Sequence, residues 1–64
     1  MTAQQFATIK KALKKDMVEQ RKTIGGVDSS RSHRVALDLV KKALPGKPEA
    51  LHQDLAHAVV MSAR

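Results

Sequence analysis

Cysteine, tryptophan and tyrosine are all absent, and Phe6 is the one aromatic residue among 64. Without cysteine there can be no disulfide, no thiolate zinc site and no cysteine nucleophile. A single ring supplies no platform on which the splayed bases of a single strand could stack. Long apolar runs are lacking too. None approaches the roughly 18 residues that a transmembrane helix needs. The segment after Met1 opens polar and turns lysine-rich, without the apolar stretch of a signal peptide, so a cytoplasmic protein is expected. Glycine and proline are few and gathered at two places, Gly25-Gly26 and Pro45-Gly46-Lys47-Pro48, which divide the chain into three segments.

Negative charge is also scarce: 6 Asp and Glu stand against 12 Lys and Arg, a net charge of +6, with an isoelectric point near 10.2. Charge of this size in a short chain repels itself and attracts polyanions or acidic protein surfaces. Residues 1–64 make one helical domain on this reading. A domain so small buries only about 60% of the surface that its unfolded chain exposes. Stability must come from good helix packing, from self-association or from a partner.

The segments read as helices. Thr2 and Gln5 have the spacing of a capping box. Phe6, Ile9, Leu13, Met17 and Ile24 then fall within an arc of about 80° at 100° per residue, a stripe fit to face a core. Gly25 and Gly26 can adopt the left-handed conformation that ends a helix. Asp28, Ser29 and Ser30 offer a choice of caps for a second helix. Its apolar residues Val35, Ala36, Leu37, Leu39, Val40, Ala43 and Leu44 cover about 200°, so neighbours are expected on two sides. Pro48 suits the first turn of a third helix, with Glu49 near the positive end of the dipole. Leu51, Leu55, Ala58, Val59 and Ser62 form its expected core stripe. Val60 and Met61 lie off that stripe, and they read equally well as exposed residues or as an interface with a second copy. The fold class is therefore all-α, a small three-helix bundle of one long and two shorter helices, either complete in itself or completed by dimerisation.

Chemistry-bearing patterns are sparse. His52 and His57 are five residues apart, about 140° around a helix, and cannot grip one metal ion as an i, i+4 pair can. His33, His52 and His57 are best read as ordinary surface or boundary histidines. The serines cluster at one helix start with no acid, base and nucleophile set around them, and a bundle this small has trouble enclosing the roughly 300 Å³ of a ligand pocket. No metal, cofactor or catalytic activity is expected.

What stands out is the arrangement of cations. Lys10, Lys11, Lys14, Lys15, Arg21 and Lys22 share an arc of about 140° on the first helix, while Asp16 and Glu19 lie outside it. Interleaved signs would stabilise such a helix by about 0.2–0.5 kcal/mol per pair, so stacking like charges works against stability. Arg31 and Arg34 add a second cluster at the start of the second helix, where the dipole disfavours cations. Free backbone amides, serine hydroxyls and two guanidinium groups there would suit a phosphate, unless Asp28 caps the helix instead.

These residues lead to a non-catalytic regulator that binds nucleic acid through phosphate contacts, duplex or structured nucleic acid in preference to a single strand. The rival expectation, which uses the same lysines, is an inhibitor or adaptor that docks on an acidic protein surface. A helix-turn-helix fits poorly, because the third helix has no Lys or Arg before Arg64 and the second is apolar around too much of its circumference. A membrane-surface helix fits less well still, since the capping box and two further apolar helices favour packing.

Overall fold

The computed structural model describes all 64 residues. Three helices, α1 (Ala3–Ile24), α2 (Ser29–Ala43) and α3 (Glu49–Ala63), each pack on the other two, with no strand. At 1.5 Å rise per residue α1 is about 33 Å long, and it sets the 35 Å long dimension of the molecule.

The start of α1 is fixed by the expected box. The Thr2 hydroxyl accepts from the Gln5 amide at 3.1 Å, and the Gln5 side chain accepts from the Thr2 amide at 3.0 Å. Its end is Gly25, at φ 78°. Ile9, Leu13 and Met17 are buried, and Phe6 packs against them. Ile24 differs from expectation and is 60% exposed. With 22 residues against 15 in each neighbour, α1 outruns its cover in the last turn. The position that closes the stripe belongs to Gln20, which is fully buried.

Helix α2 buries Ser32, Ala36 and Val40 and flanks them with Val35, Leu37 and Leu39, so it is covered from two sides as its wide apolar arc requires. Pro48 stands at the N-cap of α3, one residue before the first turn, and its carbonyl accepts from Leu51 and His52.

The core face of α3 is turned by about 100° from the expected stripe, as counted along a regular helix. His52, Ala56, Val59, Val60 and Ala63 are buried. Leu51, Ala58 and Ser62 are exposed and Leu55 is half-buried. Val60 thus belongs to the core, whereas Met61 is 54% exposed. Two features explain the rotation. Ala56 and Ala63 allow α3 to approach its neighbours closely, and its contact with α2 is the most extensive in the bundle. His52, read from sequence as a surface or boundary residue, is inside because its Nε2–H donates to the Leu44 carbonyl at 2.7 Å, at the end of α2. That bond satisfies an acceptor that the helix itself leaves free.

Candidate nucleic-acid interface

Of the six α1 cations, Lys11, Lys14, Lys15, Arg21 and Lys22 are exposed and Lys10 is half-buried. None of the six has a carboxylate within ion-pairing distance, since the ion pairs of the molecule are Arg31–Asp16, Lys41–Glu49 and His52–Glu49. The six fall into two rows along the helix: Lys10, Lys14 and Arg21 form one, and Lys11, Lys15 and Lys22 the other, about 100° apart around the axis. Between the rows lies Val18, 47% exposed. An apolar side chain inside a lysine arc is visible on a helical wheel, but sequence reasoning passed over it because it counted charges alone.

Asp16 is turned away from the cations, whereas Glu19 is exposed about 40° beyond Lys15, at the edge of the arc, without an ion pair. Asp16 accepts from the Gln20 amide nitrogen at 2.7 Å and from Arg31 at 3.2 Å. It therefore belongs to the strip of α1 that meets α2, about 120° around the helix from the nearer lysine row. Gln20 ties the same junction: its Oε1 accepts from the Asp28 backbone at 2.9 Å, and its Nε2 lies 3.5 Å from the buried Ser32 hydroxyl.

At the start of α2 the proposed phosphate cradle is already filled. Asp28 Oδ1 accepts from the amides of Ser30 and Arg31 at 2.9 and 3.3 Å, and the Asp28 carbonyl accepts from Ser32. A carboxylate thus occupies the place where an external anion would sit. Ser32 is buried, and the Ser29 hydroxyl accepts from Arg64 at 2.7 Å. Arg31 spends part of its charge on Asp16. Arg34 is exposed without an ion pair. The structure therefore gathers the six α1 cations on one helix face and leaves Arg31 beside an acid on another strip. Sequence reasoning also missed Arg64, whose contact with Ser29 joins residues 35 positions apart and has no local pattern.

Charge is divided by helix. Six Lys and Arg face two acids in α1, four face one in α2, and α3 has two acids and no Lys or Arg. Glu49, exposed at the start of α3, titrates below the usual carboxylate range because Gln53 donates to it and Lys41 lies beside it.

Elsewhere the surface offers little chemistry. An open cleft of about 280 Å³ between the start of α1 and the end of α2 is lined by Thr2, Gln4, Gln5, Thr8, Ile9 and Ala43, without a charged side chain. No three His, Asp or Glu side chains converge. His33 bonds to Gln53 at 2.6 Å, and His57 is exposed. No helix is long and apolar enough to cross a membrane. Comparison with protein-family models, with curated proteins and with solved structures gave no match.

Proposed function

We propose that the protein is a non-catalytic regulator that binds nucleic acid through phosphate contacts made by the exposed face of α1. The observation that carries this reading is the absence of self-neutralisation: six cations share one face, no acid pairs with any of them, and the acids of the same helix are engaged or placed outside the arc. Like charges stacked along a helix work against its stability, and a polyanion reverses that effect by supplying the missing counter-charge. Arg34 adds a further unpaired cation on α2, with Arg31 a weaker contributor because of Asp16. The scarcity of aromatic side chains favours a duplex, held by its backbone, over a single strand held by stacking.

The test compares the native protein with the triple variant Lys11→Gln, Lys15→Gln, Lys22→Gln in fluorescence anisotropy titrations of a random 20-base-pair duplex at about 50 mM salt, where phosphate contacts are strong. Binding by the native protein and its loss of at least about tenfold in the variant support the reading. No binding by the native protein at that salt overturns it. Equal binding by both proteins overturns the assignment to α1.

A further inference from the structure

We infer that α1 binds lengthwise in the major groove of B-form duplex DNA, with its two cationic rows on the two phosphate strands and Val18 against the groove floor. The inference rests on the reading of α1 as a nucleic-acid surface, and it adds the form of duplex and the groove. Three features of the face support it. First, the rows are parallel to the axis and matched in spacing, with cations at intervals of four and then seven residues in each, so each row spans about 17 Å, the rise of about five nucleotides of one strand. Second, rows about 100° apart on a helix about 10–12 Å across diverge to its two sides, as the two phosphate strands flank a major groove about 12 Å wide, twice the width of the minor. Third, the strip between the rows is apolar. Val18 is 47% exposed in the midst of the cations. A surface that only tracked one backbone would gain by a cation or a polar residue there. A side chain facing a groove floor meets base edges, and an apolar one suits the thymine methyl group.

The rest of the bundle leaves the helix free to enter. The buried residues of α1, Ile9, Leu13, Met17 and Gln20, are centred about 140° from Val18 around the axis, so α2 and α3 lie behind the approaching face. An α-helix with its side chains is about 10–12 Å across, which the B-form major groove admits. The major groove of A-form RNA is deep and narrow and does not admit it.

The experiment uses the full chain and three 20-base-pair duplexes of alternating sequence: A·T DNA, the same DNA with uracil in place of thymine, and A·U RNA, titrated at one salt concentration. The expected result is RNA binding at least about tenfold weaker than DNA, and about fourfold weaker binding to the uracil-containing DNA, the effect of losing one buried methyl group. Val18→Ser, at an exposed position, should keep the fold and weaken binding to thymine-containing DNA more than to uracil-containing DNA, bringing the two within about twofold. Binding of all three duplexes within about twofold would overturn the groove assignment and leave the phosphate-contact reading standing. Binding to none of them at low salt would overturn both.

Discussion

Replacing Gln20 by Met removes one hydrogen-bonding group from the interior while keeping an unbranched chain of similar length. Gln20 is fully buried and ties α1 to the start of α2. Its Oε1 accepts from the Asp28 backbone, and its Nε2 serves the Asp16 carboxylate and approaches the Ser32 hydroxyl. In the variant the Asp28 amide loses its partner, at a cost of about 1–3 kcal/mol if it stays dry, and the bond to Asp16 is lost as well. Added apolar burial offsets part of this, leaving an expected loss of about 2–4 kcal/mol. A chain of 64 residues has a total stability of about 3–10 kcal/mol at typical values per residue. The midpoint of thermal unfolding should therefore fall by roughly 8–32 °C, at 4–8 °C per kcal/mol for small domains. Circular dichroism melts and urea titrations measure the change. Met17→Leu, an apolar swap on the same stripe, is the control and should cost less than about 1.5 kcal/mol. A Gln20→Met protein within about 0.5 kcal/mol of the native one would refute the argument, because it would mean that water or the Asp28 cap replaces everything Gln20 contributes.

Other perturbations test separate parts of the structure. Arg31→Ala should leave helicity intact and shift stability by no more than about 1 kcal/mol, since the pair with Asp16 is partly exposed, at 44% and 22%, and the helix start loses an unfavourable cation; a melt showing a loss above about 2 kcal/mol would make Arg31 structural. Gly25→Ala should cost about 1 kcal/mol in urea unfolding, because the residue is held at φ 78° while nothing lies within 4 Å of the added carbon; unchanged stability would contradict the left-handed cap. Glu49 titrates lower in the folded chain than in the unfolded one, so its contribution is present above the unfolded value near 4.5 and fades as pH falls through the lower folded value. Stability measured against pH should lose that part of its acid dependence in Glu49→Gln, and an identical profile would show that Gln53 and Lys41 do not hold the carboxylate as described.

How far the sequence predicted this structure depends on how each helix is packed. The stripe of α1 could be read because its large apolar residues recur at one angle between a capping box and a glycine, and α2 because its apolar arc is wide enough to tolerate an error in direction. The face of α3 could not, because apolar residues occur all round it. Ranking by hydrophobicity favours Leu51 and Leu55, whereas close packing favours Ala56 and Ala63, and His52 is buried for the sake of a carbonyl eight residues away. In the candidate interface the α1 cations follow from helical periodicity alone. The filling of the α2 start by Asp28 was foreseen as one of two outcomes. The diversion of Arg31 to Asp16 depends on how two helices are placed against each other, and no local pattern encodes it.

The salt dependence of duplex binding by the native protein is the most direct test of the α1 surface. If the six unpaired cations of α1 all reach phosphates, a plot of log K against log salt concentration should be linear with a slope of about −5. A slope near zero, or no binding at any salt concentration, would contradict it.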